Sequence, residues 1–123
     1  MRTANRWPMP LLTVTTNMEI YPDHQEQILI KLSAFVAQLL GKPESYVMVQ
    51  LQSGQPMLMG GTNEPCAHLR LKSLGLPEDS TEGLSTALCD AITGQLRIPA
   101  NRIYIEFANP ARHMWGWDKG TFG

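Results

Sequence analysis

Pro10 carries the most distinctive chemical potential in this sequence, because its nitrogen can exist in two very different forms. It directly follows Met9 and opens a short apolar, β-branched run. If the mature chain begins at Pro10, this nitrogen is a secondary amine. A free α-amine titrates near ~7.7–8.0, well below lysine, and burial or a neighbouring cation lowers such a pKa further. If the preceding residues stay attached, the same nitrogen is an amide without basicity.

An amine base with a pKa near neutrality can move a proton from carbon to oxygen without a cofactor. The reaction also needs a group that holds the developing enolate. We predict no metal, because His24 and His113 lack the paired spacing of metal ligands. From residue type alone, a free Pro10 amine is chemically able to act as a base without a cofactor, on condition that Pro10 is the first residue.

The composition is that of one ordinary globular domain. The chain has 123 residues, of which 43% are hydrophobic and 17% charged. A net charge of −1 gives no general attraction to nucleic acid or to anionic membranes. No apolar run approaches the ~20 residues of a membrane span. We therefore expect neither nucleic acid nor membrane as a partner.

The first residues contain two arginines but no apolar segment, so they do not resemble a secretion signal. Cys66 and Cys89 are too few for a disulfide framework. We predict a cytoplasmic protein that could also be released without a signal peptide. Residues 1–9 are interpreted as an N-terminal extension that the mature protein can lack, and residues 10–123 as a single domain.

The pattern of apolar residues predicts two similar halves, each a strand, a helix and a strand. Alternating residues predict strands, and apolar residues at helical spacing predict helices. Ser80 or Thr81 is expected to cap the second helix. The predicted strands are 10–17, 46–52, 67–74 and 102–108, and the helices run from about Tyr21 to Gly41 and from about Ser80 to Ile98.

We therefore predict an α+β fold in which two β-α-β repeats form a four-stranded sheet. Right-handed crossovers place both helices on one face of that sheet. The aromatic tail after residue 112 is too small to cover the opposite face, so we expect the chain to assemble into an oligomer.

Several short motifs, in order and at matching spacing, resemble one known family. The matching pieces are Met9-Pro10, Gly41-Lys42-Pro43, Gly60-Gly61, Glu64-Pro65-Cys66-Ala67, Ser73-Leu74-Gly75, Arg102-Ile103-Tyr104-Ile105, Gly116-Trp117 and Thr121-Phe122. From Pro10 to its end, the chain resembles macrophage migration inhibitory factor and the D-dopachrome tautomerases, in the tautomerase superfamily. This resemblance implies a homotrimer with active sites between subunits, without a cofactor. It also implies keto–enol tautomerisation of small aromatic 2-oxo acids such as phenylpyruvate, and of dopachrome-like compounds, with Pro10 as the base.

The resemblance also assigns substrate-binding roles by position. Lys42 would bind the substrate carboxylate and lower the pKa of the Pro10 amine. The backbone N–H of Leu74, with Ser73 beside it, would hold a second oxygen. Tyr104 would reach the pocket from a neighbouring subunit.

Glu106 shares a strand face with Tyr104, and it departs from the amide that many relatives carry at this position. Its carboxylate is expected to weaken the binding of anionic substrates or to change selectivity. The walls of the pocket would be aromatic, supplied by Trp115, Trp117 and Phe122.

Each of these residues also has a purely structural interpretation. Pro10 can simply begin a strand, Lys42 can be a solvated cation after a helix end, and tryptophans are more often buried than ligand-binding. Two other functions stay open. One is a non-catalytic, cytokine-like or ligand-binding trimer with Pro10 blocked. The other is hydration or dehalogenation of small unsaturated acids, with Glu106 positioning water.

Overall fold

The computed structural model describes residues 9–123, so residues 1–8 of the predicted N-terminal extension lie outside the described residues. Short 3-10 turns join several of the regular elements. The strands are β1 (Leu11–Thr16), β2 (Met48–Gln52), β3 (Ala67–Lys72), β4 (Ile103–Ala108), β5 (Gly116–Trp117) and β6 (Gly120–Thr121), and the helices are α1 (Pro22–Leu40) and α2 (Thr81–Leu96).

The main sheet has four strands in the order β2-β1-β3-β4. β1 runs parallel to β2 and antiparallel to β3, and β3 runs parallel to β4. Each half of the chain thus contributes a parallel pair joined by a helix, as the internal repeat predicted. β5 and β6 form a separate two-stranded hairpin from the aromatic tail.

Both helices pack against one face of this sheet, which confirms the predicted α+β architecture. Alternate residues of β1, such as Leu12 and Val14, are fully buried there together with Leu69 of β3. From the helices, side chains such as Leu32 and Leu88 complete the same core. These contacts follow from the sequence pattern, because alternate residues of a strand share one face and residues three or four apart share one face of a helix.

The other face of the sheet is not covered by the described part of the chain. It carries polar residues of β1 and β3 and the exposed Tyr104, which retains 68% of its accessible surface. An uncovered sheet face of this kind is one that proteins commonly bury against another copy. Among residues 9–123, no helix has both the length and the apolar character needed to cross a membrane.

Several local predictions differ from the structure. Pro10 precedes β1 instead of lying in it, because it has no N–H for the ladder. β3 ends at Lys72, two residues earlier than predicted, and Leu74 turns into a buried position. Ser80 occupies the N-cap of α2, but no side-chain hydrogen bond caps the helix. The chain enters α2 through a 3-10 turn instead.

The two helices end in the same left-handed geometry with very different residues. Gly41 follows α1 with a φ of 64°, and Arg97 follows α2 with a φ of 59°. A left-handed conformation suits glycine and strains a residue that has a Cβ atom.

We therefore predict opposite effects for a matched pair of substitutions at these helix ends. Arg97→Gly should raise the free energy of unfolding by about 0.5–1 kcal/mol, and Gly41→Ala should lower it by about 1 kcal/mol. Urea unfolding checks both values, at one protein concentration because assembly would couple to stability. A loss of stability in Arg97→Gly would show that the arginine side chain contributes more than its backbone strain costs.

Candidate functional site

A cavity of about 290 Å³ lies where the chain enters β1, with Pro10 in its wall. Its lining is mostly apolar and aromatic. Trp117 meets the ring of Tyr46 edge-on at 6.0 Å between centroids and stacks on Phe122 at 6.4 Å. The full lining is Met9, Pro10, Leu11, Ser45, Tyr46, Val47, Met48, Trp115, Gly116 and Trp117.

The backbone holds Pro10 firmly at this cavity. Its side chain is almost completely buried, and its carbonyl oxygen accepts a hydrogen bond of 2.9 Å from the N–H of Met48, where β2 begins. The next residue, Leu11, pairs on both sides, with Met48 and with Lys72. The nitrogen of Pro10 is therefore fixed at the start of a strand that has neighbours on both sides.

Met9 occupies the space next to the Pro10 nitrogen. Its side chain is buried against Leu74 and Phe122, and its carbonyl oxygen accepts a hydrogen bond of 3.1 Å from Nε1 of Trp115. Its φ of 45° is unusual for a residue with a side chain. While Met9 is attached, the Pro10 nitrogen is an amide and has no lone pair available to accept a proton.

A second cavity, of about 190 Å³, contains three more of the predicted site residues. Lys42, Ser73 and Leu74 line it, with Gly75 beside them. Met9 lines the first cavity and packs against Leu74, which lines the second, so Met9 lies between the two cavities. With Met9 present, Pro10 and Lys42 face separate spaces.

Tyr104 and Glu106 do not line the Pro10 cavity of their own chain. Both lie on the exposed sheet face of β4, the edge strand two places from β1. Strands in a sheet lie about 4.8 Å apart, so β4 is about 10 Å from β1. The sequence-based expectation that Tyr104 reaches the pocket from another subunit is compatible with this placement.

Two residues at the site were not predicted from the sequence. Tyr46 was interpreted as a strand residue, but it ends a 3-10 turn and lines the Pro10 cavity. Lys72, to which the sequence assigned no role in the site, has its Nζ atom 5.1 Å from the ring centroid of Trp115. That contact joins β3 to the tail and could not be inferred from local spacing.

The apolar and aromatic lining of the Pro10 cavity suits a small, partly apolar molecule. Lys42 and Lys72 supply positive charge near the two cavities. Within residues 9–123, no group of three or more His, Cys, Asp or Glu side chains is arranged to bind a metal ion.

Glu106 is part of a small charged cluster on the open sheet face. Its Oε1 atom lies 2.8 Å from Nε2 of His68 and 3.3 Å from an Nη atom of Arg70. Loss of solvation raises the pKa of this carboxyl, but the charge of Arg70 and the hydrogen bonds from His68 and Arg70 outweigh that effect. The net result is a lowered pKa for Glu106.

The lowered pKa predicts how the stability contribution of Glu106 varies with pH. A carboxyl whose pKa is lower in the folded state stabilises the fold above its unfolded pKa of about 4.3. That contribution is lost as the pH falls through the folded pKa. The difference in unfolding midpoint between the wild type and Glu106→Gln should therefore shrink between pH 5.5 and 3.

Urea unfolding at several pH values in this range measures the difference. Glu26→Gln, on the exposed side of α1, is the control for the general loss of one carboxylate. Parallel curves for wild type and Glu106→Gln would contradict the prediction.

Comparisons with known proteins agree on one family. The family model of macrophage migration inhibitory factor (MIF) matches residues 9–123. The chain is 38% identical to the macrophage migration inhibitory factor of Xenopus tropicalis over 119 residues, which cover 93% of this chain and 99% of that protein. It is also 38% identical to the homologue of Brugia malayi over 122 residues, covering 94% and 100% of the two chains.

The fold agrees with the same assignment. The crystal structure of the macrophage migration inhibitory factor homologue from Prochlorococcus marinus is similar, with a TM-score of 0.85 and 40% sequence identity. The alignment covers 92% of this chain and 99% of that one. The protein therefore belongs to the macrophage migration inhibitory factor family of the tautomerase superfamily.

Proposed function

We propose that this protein is a cofactor-independent keto–enol tautomerase of the phenylpyruvate and dopachrome type, with Pro10 as the base. The observation that carries the proposal is the position of Pro10, which is fixed by backbone pairing in the wall of an aromatic cavity. The substrate class, a small aromatic 2-oxo acid, is what membership of this family implies, and the aromatic lining and the nearby cations support it.

The reaction needs a free Pro10 amine. That amine removes a proton from the carbon next to the substrate carbonyl; the electron pair of the broken C–H bond forms the new C=C bond, and the carbonyl π pair moves to oxygen. The oxygen then takes a proton and gives the enol; the reverse steps return the ketone. Lys42 would hold the substrate carboxylate, with the backbone N–H of Leu74 and the neighbouring Ser73 as further contacts.

Removal of residues 1–9 would change the site in two ways. It would convert the Pro10 nitrogen from an amide into an amine, and it would empty the position of Met9 between the two cavities. Lys42 and Leu74 would then share one space with Pro10. The apolar surroundings and the lysine charge both favour the neutral, basic form of the amine.

We also propose that the active form is a homotrimer. The uncovered sheet face and the edge strand β4 supply surface for such contacts. In this assembly, Tyr104 and Glu106 would line the pocket of a neighbouring subunit, with Trp115 and Trp117 as aromatic walls. A cytoplasmic location fits the two cysteines, neither of which forms a disulfide.

One observation favours a second candidate function, a ligand-binding protein without turnover. Met9 is buried and hydrogen-bonded in a way that a loosely attached extension would not need. If Met9 is retained, Pro10 is acylated and the 290 Å³ cavity can only bind. The chemical state of one nitrogen thus separates the two functions.

We predict that the chain beginning at Pro10 tautomerises phenylpyruvate at least about 100-fold faster than the intact chain that begins at Met1. Loss of a positioned base typically costs about 10²–10⁴-fold. Intact-mass spectrometry verifies each N-terminus, and enol absorbance gives the rate. Proton NMR of deuterium exchange at the carbon beside the carbonyl distinguishes tautomerisation from addition of water.

The matched control is a Pro10→Gly chain with a free terminus, which keeps an amine but changes its basicity and freedom. Its rate of phenylpyruvate tautomerisation should lie between the rates of the Met1 chain and the Pro10 chain. Equal rates for the Met1 and Pro10 chains, with masses unchanged after the assay, would refute Pro10 as the base.

We predict that Lys42→Gln in the chain beginning at Pro10 raises KM for phenylpyruvate by about 10- to 100-fold, since a charged hydrogen bond contributes about 1.5–3 kcal/mol. The methyl ester of phenylpyruvate has no carboxylate and should respond much less. Lys31→Gln, on the exposed side of α1, is the control for the general loss of one positive charge. An equal response of acid and ester would assign Lys42 a role other than binding the carboxylate.

A further inference from the structure

We infer that the indole N–H of Trp115 is the hydrogen-bond donor that binds the keto, and then the enolate, oxygen of the substrate. This inference rests on the proposed tautomerase function and adds a catalytic contact to it. In the structure the same N–H is bonded to the carbonyl oxygen of Met9. Met9 thus holds a position that a carbonyl substrate would take.

The first argument is the place of this hydrogen bond relative to the base. The Met9 carbonyl oxygen lies 3.1 Å from Nε1 of Trp115 and only two covalent bonds from the Pro10 nitrogen. Those two bonds measure about 1.33 and 1.23 Å. The indole N–H is therefore directed at an oxygen immediately beside the nitrogen that would act as the base. A substrate whose acidic carbon meets Pro10 has its carbonyl oxygen one carbon further on.

The second argument is what Trp115 loses when Met9 leaves. Trp115 is partly buried, and among described residues its indole N–H bonds only to Met9. Without the Met9 carbonyl oxygen, the indole N–H of Trp115 would have no acceptor. An unsatisfied donor costs free energy unless water or a ligand takes the place of that oxygen. The apolar position of the Met9 side chain, against Leu74 and Phe122, becomes available at the same time. A ligand with an apolar body and a carbonyl oxygen would fill the vacated side-chain position and accept the hydrogen bond from the indole N–H.

The third argument is that Trp115 is held in place. Its carbonyl oxygen accepts from the N–H of Phe122 at 3.2 Å, which ties it to the end of the tail. Nζ of Lys72 lies 5.1 Å from the centroid of its ring, within cation–π range. A fixed donor with a cation beside it is the arrangement that stabilises negative charge on an enolate oxygen.

With Trp115 in this role, the reaction still moves one proton from carbon to oxygen. Pro10 takes the proton from carbon, the C–H electron pair forms the new C=C bond, and the carbonyl π pair moves to oxygen. Trp115 keeps its own proton and only donates a hydrogen bond to that oxygen. The enol forms when the oxygen takes a proton from the Pro10 ammonium or from water.

The test uses the chain from Pro10 to Gly123. All described strands and helices lie between Leu11 and Thr121. The Prochlorococcus structure, matched over 99% of its own length, covers 92% of this chain. The shorter chain therefore contains the complete fold.

We predict that Trp115→Phe in this chain lowers kcat for phenylpyruvate by about 100-fold, the lower end of the roughly 10²–10³-fold effect of removing one oxyanion-hole donor, with a small change in KM. Trp117→Phe removes an indole from the same cavity, one for which the described residues offer no hydrogen bond. It should act mainly on KM. Equal kcat values for Trp115→Phe and the unsubstituted chain would overturn the inference.

An NMR titration tests the same contact without relying on turnover or on the folding of a variant. With ¹⁵N-labelled protein, phenylpyruvate should move the Trp115 indole proton downfield in the chain beginning at Pro10. In the Met1 chain, where Met9 holds that proton, the signal should not move. Trp115→Phe identifies the signal by its disappearance.

The two readouts separate failure of the inference from failure of the proposed function. If the Pro10 chain has no tautomerase activity but the indole signal moves, the function is wrong and the binding contact stands. If the chain is active and the indole signal does not move, the inference is wrong, even where Trp115→Phe lowers kcat, because the effect on kcat would then be structural.

Discussion

The candidate site depends on how the backbone holds Pro10 at the entrance to β1. That strand pairs with β2 on one side and with β3 on the other, and the Pro10 carbonyl is itself bonded to the N–H of Met48. A general base is effective only when its lone pair is fixed relative to the substrate. An N-terminal residue would ordinarily be among the most mobile in a chain. In a chain that began at Pro10, the pairing of β1 on both sides would remove that mobility, and proline, which has no N–H to contribute to the ladder, would lose nothing by standing at this position.

The surroundings of Pro10 suit both states of its nitrogen. With Met9 attached, an apolar side chain fills the space beside Leu74 and Phe122, and a carbonyl oxygen satisfies the indole of Trp115. The same surroundings would accept a small molecule with an apolar body and a carbonyl group. If the proposed function holds, peptide and substrate would compete for one set of contacts, because a peptide carbonyl and a keto group present the same acceptor to the same donor.

The sheet has one buried face and one open face, and this asymmetry shapes the rest of the molecule. Both helices pack on the buried face, where the strands supply Leu12, Val14 and Leu69. The open face keeps polar and charged groups, and Glu106 is paired there with His68 and Arg70. Residues that the family resemblance assigns to the pocket, such as Tyr104, lie on this open face instead of beside Pro10. Only contacts between chains could bring them to a neighbouring Pro10, so site and assembly are parts of one proposal.

Local sequence determined much of the fold, because strand alternation and helical spacing are short-range patterns. The four main strands, both helices and their buried faces follow from the order of apolar residues, and Pro10 and Trp115 stand out by residue type. The register between strands and the path of the tail are long-range properties without a local signal. Only the tertiary structure placed Lys72 over the ring of Trp115 and Tyr46 in the wall of the cavity. It alone showed Met9 between Pro10 and Leu74, because that contact depends on how the ends of β1 and β3 meet in space.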